Sequence, residues 1–147
     1  MFLSLKTLDF KPHKTGLKKV FGDLEADIMK IVWKSKEVRV RDVFEDLRLE
    51  KNLAYTTVMT IMNRLVEKNI LKKEASGNAF VYSPTISESE FTTLVVSEVL
   101  EGLLEDFADP ALSHIIERLS AKDSQKLKKL EQLIQERRTM GEGVNVL

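Results

Sequence analysis

Between residues 55 and 68 the sequence sets Tyr55, Thr56, Thr57, Met59, Thr60, Asn63 and Arg64 among the apolar positions Val58, Ile61, Met62, Leu65 and Val66. At helical phasing the apolar five fall within about 80° of Val58. Thr56, Thr60, Asn63 and Glu67 lie on the other side, flanked by Met59 and Arg64. Hydroxyls, an amide and a guanidinium in this array make no nucleophile–base pair. Their chemistry is hydrogen-bond recognition, and these groups can read base edges and phosphates in a major groove. An ordinary solvated helix face carries Glu and Lys pairs instead.

Basic groups elsewhere fit the same chemistry. Arg39 and Arg41 stand at the entry to a short helical pattern, where backbone N–H groups and side chains hold phosphate. Lys72 and Lys73 lie on a predicted hairpin whose turn contains Asn78. The net charge of the 147-residue chain is zero, yet residues 1–83 hold 16 Lys and Arg against 11 Asp and Glu, and residues 84–147 hold 7 against 12. That division predicts one polyanion-facing module and one module with other work. Five lysines (Lys6, Lys11, Lys14, Lys18, Lys19) contribute most of the basic excess.

Other chemistries find little support. Without cysteine there is no disulfide, thiolate metal site or cysteine nucleophile. His13 and His114 are remote in sequence from each other and from any nucleophile pattern. Glu101, Glu105, Asp106 and Asp109 lack the glycine and alternating oxygen ligands of a calcium loop. No glycine-rich phosphate loop, membrane-length apolar run or signal-peptide pattern is present. The expectation is a cytoplasmic, non-enzymatic protein without cofactor or metal.

The elements that position these groups follow from periodicity. Residues 1–22, with Pro12, Gly16 and Gly22 among lysines, read as a poorly ordered arm. Leu24, Ile28, Ile31 and Val32 predict a helix over 23–35, with Asp23 capping it and Trp33 anchoring the core. Val38-Arg39-Val40 suggests a short edge strand, and Val43, Phe44 and Leu47 predict a second helix. A third helix spans about 55–68. The period then switches to two: strands over 71–75 and 79–83 flank Ser76-Gly77-Asn78, and Pro84 ends the second. Three helices followed by a hairpin, over 23–85, is the order of a winged helix-turn-helix.

Residues 86–140 read as helical. Ser87 and Glu90 form a capping-box pattern, and the helix after them carries Phe91, Leu94, Val95, Val99, Leu103 and Leu104, with Phe107 beyond. Asp109-Pro110 opens a further helix with Leu112, Ile115, Ile116 and Leu119. A last helix over 122–138 bears Leu127, Leu130, Leu133 and Ile134, and residues 141–147 should fray. A small winged domain cannot cover the stripe of the helix after Ser87; two copies can bury it against each other, the alternative being that the C-terminal helices fold back as an intramolecular bundle. The fold class expected is mainly α with a small β-hairpin wing, plus a C-terminal helical dimerisation segment.

Three runs carry a resemblance: Leu24-Glu25-Ala26-Asp27-Ile28-Met29-Lys30-Ile31-Val32-Trp33; Leu53 to Thr60 with Asn63 to Lys68; and Phe80-Val81-Tyr82-Ser83-Pro84. In order and joint spacing they resemble the penicillinase-repressor family, which includes β-lactamase, methicillin-resistance and copper-responsive repressors. The resemblance spans residues 22 to about 135. It implies a homodimer whose C-terminal helices pack on their partner's, placing two recognition helices in successive major grooves of a palindromic operator. A regulatory protease is implied as a partner of some members, cutting at an Asn-Phe bond. This chain has no Asn-Phe, no cysteine pairs of the copper-responsive kind, and Asn78 where similar wings carry arginine after the glycine. The function expected is a repressor of transcription binding double-stranded operator DNA. The alternative is a winged-helix module that docks protein without sequence-specific DNA binding.

Overall fold

A computed structural model describes residues 9–144, which fall into two units meeting near Val96 and Ser97. The first unit contains a 3-10 turn (Gly16–Lys19), α1 (Asp23–Ser35), α2 (Val40–Arg48), α3 (Tyr55–Glu67), β1 (Leu71–Ser76) and β2 (Ala79–Pro84). The long helix α4 (Glu88–Lys122) begins in it, and α5 (Ser124–Val144) lies in the second unit.

The core of the first unit joins the apolar faces of the three helices to the hairpin. Ala26, Ile28, Met29 and Val32 from α1, Val40, Val43 and Leu47 from α2, and Val58, Met62 and Leu65 from α3 are all buried. Ile70, Leu71 and Tyr82 close it from the hairpin side. The two strands pair antiparallel from Leu71↔Pro84 to Ser76↔Ala79, so the turn is the two residues Gly77-Asn78 rather than the three expected. Gly77 takes φ +63°, a left-handed conformation that glycine adopts without a Cβ penalty. The edge strand expected at 38–40 reduces to one antiparallel bridge, Val38 with Tyr82, because Val40 already begins α2.

Helix starts differ from expectation in informative ways. The cap of α1 is Gly22, whose N–H donates to Glu25 Oε1 at 3.2 Å, and Asp23 is the first helical residue. For α2 the Arg39 N–H donates to Asp42 Oδ2 at 2.9 Å. At α4 the Ser87 hydroxyl accepts from the Glu90 N–H (3.1 Å) and donates to the Glu90 carboxylate (3.1 Å), so only half of the reciprocal box forms.

The poorly ordered arm is corrected for residues 9–22; residues 1–8 lie outside the described chain. The Lys11 N–H donates to the Lys19 carbonyl at 2.6 Å, and Lys19 Nζ binds the carbonyls of Pro12 and Lys14. Val20 and Phe21 enter the core. Phe21 stacks on Phe91 with centroids 5.2 Å apart, Trp33 lies 5.6 Å from Phe91, and the Trp33 indole N–H donates to the Ile86 carbonyl at 3.0 Å. Phe91 is therefore a core residue of the first unit, and Val95 packs against the same core. The assignment of Phe91 to a dimer seam is corrected: the first turn of α4 completes the winged domain.

In the second unit the break expected at Asp109-Pro110 falls earlier. Phe107 is non-helical (φ −132°, ψ 40°), and helix resumes at once. Pro110 then stands third in the new run, where its missing N–H has no helical partner to lose. Asp123 caps α5, its Oδ1 accepting from the N–H groups of Gln125 (3.1 Å) and Lys126 (3.2 Å). That helix continues to Val144, past the point where fraying was expected. It is not packed side by side with α4. Among the described residues no helix is long and apolar enough to cross a membrane.

Candidate nucleic-acid interface

The buried stripe Val58, Met62 and Leu65 turns the opposite side of α3 outward. Thr56, Thr57, Thr60 and Arg64 are exposed there and, with Ile61, line a shallow concavity. Tyr55 and Met59 lie toward the helix flank that meets α2 and the wing. With Arg39, Arg41, Asn78 and Phe80 they line a second, open groove. The predicted residues thus divide between two adjoining surfaces of one helix.

Each side chain arrives with part of its hydrogen-bonding capacity already assigned. The Thr60 hydroxyl donates to the Thr56 carbonyl at 2.8 Å, leaving its lone pairs and methyl group to face outward. Tyr55 packs edge-on against Phe44, centroids 5.6 Å apart, which holds its ring at the mouth of the groove. Arg39 and Arg41 are exposed at the start of α2. Asn63 is half-buried, and its Oδ1 accepts from the Tyr82 hydroxyl (3.0 Å) and from Lys73 Nζ (3.1 Å).

The two hairpin lysines separate. Lys73 pairs across the ladder with Tyr82 and points to α3, its ammonium also 4.8 Å above the Phe80 ring. Lys72 pairs with Ser83 and, one residue away along the pleat, belongs to the opposite face. Two residues escaped the sequence reading. Phe80 is half exposed on the wing, and Tyr82 is buried at its root. Their alternation along one strand face was the available signal. Burial holds the Tyr82 hydroxyl above the ordinary tyrosine range, with a smaller contribution from Tyr55.

A family model described as penicillinase repressor matches residues 21–136. The chain belongs to the penicillinase repressor family. It is similar to the transcriptional regulator BlaI of Mycobacterium tuberculosis, 34% identical over 110 residues that cover 74% of this chain and 80% of the relative. It is also similar to the penicillinase repressor of Bacillus licheniformis, 31% identical over 70 residues covering 48% and 55% of the two chains. Among solved structures, the DNA-binding domain of the repressor BlaI matches with 31% identity and a TM-score of 0.44, over 48% of this chain and 85% of that one. The monomeric form of Bacillus licheniformis BlaI in complex with the blaP half-operator matches with the same identity and coverage and a TM-score of 0.42. For this penicillinase-repressor family member, the match begins at Phe21, the first residue of the aromatic stack, so the preceding lysines lie outside it.

Proposed function

We propose that this family member is a cytoplasmic repressor of transcription that binds a palindromic operator as a homodimer. In this reading α3 enters the major groove. Thr56, Thr57, Thr60 and Arg64 meet base edges and phosphates along one flank, and Tyr55 and Met59 along the other. Arg39 and Arg41 hold the phosphates beside α2, and Lys72 and Asn78 lie at the wing. The observation that carries the reading is the outer face of α3: exposed hydroxyls and a guanidinium where a solvated helix would show Glu and Lys. The names of the relatives, and the half-operator bound to one of them, support it.

Dimerisation draws support from the second unit. Leu103, Leu104, Phe107, Leu112, Ile116 and Ile134 are each more than 40% exposed in the single chain. An intramolecular bundle of α4 and α5 would have covered them. A second copy presents the same stripe and buries both. Val99, Ile115, Leu119, Leu127 and Leu130 are half-buried and extend the seam, with Leu94 exposed at its start. A regulatory protease as the agent of release is carried by the resemblance alone.

Mobility shifts on the DNA upstream of the chain's own gene test the function. The expected result is a discrete complex that outcompetes bulk DNA at physiological salt and weakens steeply as salt rises. Binding without sequence preference under those conditions would favour a protein-docking module.

A further inference from the structure

The amide of Asn63 faces the proposed DNA surface but is tied to the wing, and the chemistry of its partners fixes which way round it sits. Lys73 Nζ has three donors and no acceptor, so the amide atom 3.1 Å from it is the oxygen. An oxygen without a proton can only accept, so the Tyr82 hydroxyl, 3.0 Å away, donates. Both lone-pair directions of Asn63 Oδ1 are then used, and the –NH2 group is left toward solvent with no hydrogen-bond partner among the described residues.

Tyr82 is placed to make this contact count. Its backbone N–H donates to the Val38 carbonyl at 2.7 Å and its carbonyl accepts from the Val38 N–H at 2.9 Å, which ties β2 to the chain entering α2. It is the cross-strand partner of Lys73, so one pair on the hairpin reaches one residue on α3. With 3% of its surface exposed, it is poorly placed to replace a lost partner with solvent. Lys73 completes the assembly by lying over Phe80 on the opposite strand.

We propose that Tyr82 and Lys73 form a latch on Asn63 that sets the wing against the recognition helix and leaves Asn63 a hydrogen-bond donor alone toward DNA. This rests on the DNA-binding reading. A latched Asn63 cannot make the bidentate contact to adenine, which needs an acceptor and a donor together. It is left with single acceptors: the N7 of either purine, the O6 of guanine or the O4 of thymine. Tyr82 and Lys73 are positioning residues, and Lys73 is withdrawn from the phosphate contacts.

The test uses the full-length protein, with hydrogen exchange of hairpin amides in the free state and operator titrations at several salt concentrations. In Tyr82→Phe the hairpin amides should exchange up to about tenfold faster, the scale of one lost hydrogen bond. Its operator affinity should fall by a similar factor with the same salt slope. Asn63→Asp keeps an oxygen acceptor for both partners but replaces the donor by a carboxylate. Its hairpin protection should stay within about twofold of wild type while operator affinity falls about tenfold or more, whereas Asn63→Ala should lose both. Lys73→Gln should leave the salt slope unchanged, where loss of a phosphate contact would lower it by about one. Unchanged hairpin exchange in Tyr82→Phe, wild-type operator affinity in Asn63→Asp, or a flattened slope in Lys73→Gln would each overturn the proposal. If the wild-type protein prefers no DNA sequence, the DNA reading fails, and the exchange measurements alone still decide whether the latch exists.

Discussion

Phe91 shows how one side chain can belong to two stories until its neighbours are known. At helical spacing with Leu94 and Val95 it extends an apolar stripe, which is what a dimer seam requires. Its actual neighbours are Phe21, from the segment expected to be disordered, and Trp33. Phe91→Ala should therefore destabilise the winged domain by about 3–5 kcal/mol in urea unfolding and leave the association constant in sedimentation nearly unchanged. The reverse outcome would return Phe91 to the seam. The outward residues of α3 were legible because period and residue type agree at each position. The Tyr82–Asn63 contact was not, since it joins residues 19 apart and depends on strand register. Its chemistry gives a pH signature. Burial raises the Tyr82 pKa in the folded protein, so the folded state binds more protons than the unfolded chain as pH climbs past the ordinary tyrosine value. That stabilisation is complete below the unfolded pKa and is lost as pH rises through the folded one. Tyrosinate absorbance should show one component titrating late in wild type and missing in Tyr82→Phe. A difference between wild type and Tyr82→Phe that lay in the ordinary tyrosine range would contradict it.

Elements were read with more success in type than in their ends. All three helices of the first unit and both strands exist where the periodicity set them, because each has one apolar face matched to its own period. Caps proved harder, since they depend on which of several polar residues reaches a free N–H. Asp23 and Gly22 compete at α1, and Asp109 lost to a break at Phe107. At α5 the outcome is unambiguous, because Asp123 Oδ1 serves two N–H groups of the first turn. Asp123→Ala should cost about 1 kcal/mol. Asp123→Asn, which keeps the acceptor, should cost much less. Thermal unfolding followed by circular dichroism distinguishes them, and equal losses in the two variants would show that the carboxylate acts through charge rather than as a cap.

At the scale of the whole molecule, the division of charge and the division of apolar surface run along the same chain. The first half carries the basic excess and a closed core, and the second carries the acidic excess and helices whose leucines and isoleucines stay open. The division of charge was hidden in the zero net charge but visible in its distribution along the sequence, whereas the open apolar stripe shows only in the folded chain. If the open stripe is covered by a second copy, occupancy of two half-sites is linked to dimer formation, and each recognition helix alone binds far more weakly than the pair. Charges placed at Leu112 and Ile116, 53% and 45% exposed in the single chain, would then have to be buried on association. The double variant Leu112→Asp with Ile116→Asp should sediment as a monomer at concentrations where wild type is a dimer. Its operator affinity should drop about a hundredfold or more, and binding to an isolated half-site should change by less than about threefold. Thr60→Glu is the mirror experiment, because its carboxylate opposes phosphate without touching the stripe. It should remain dimeric and lose both the full operator and the half-site. A double aspartate variant that stayed dimeric, or a Thr60→Glu protein that bound DNA as wild type does, would separate the two surfaces from the roles assigned to them.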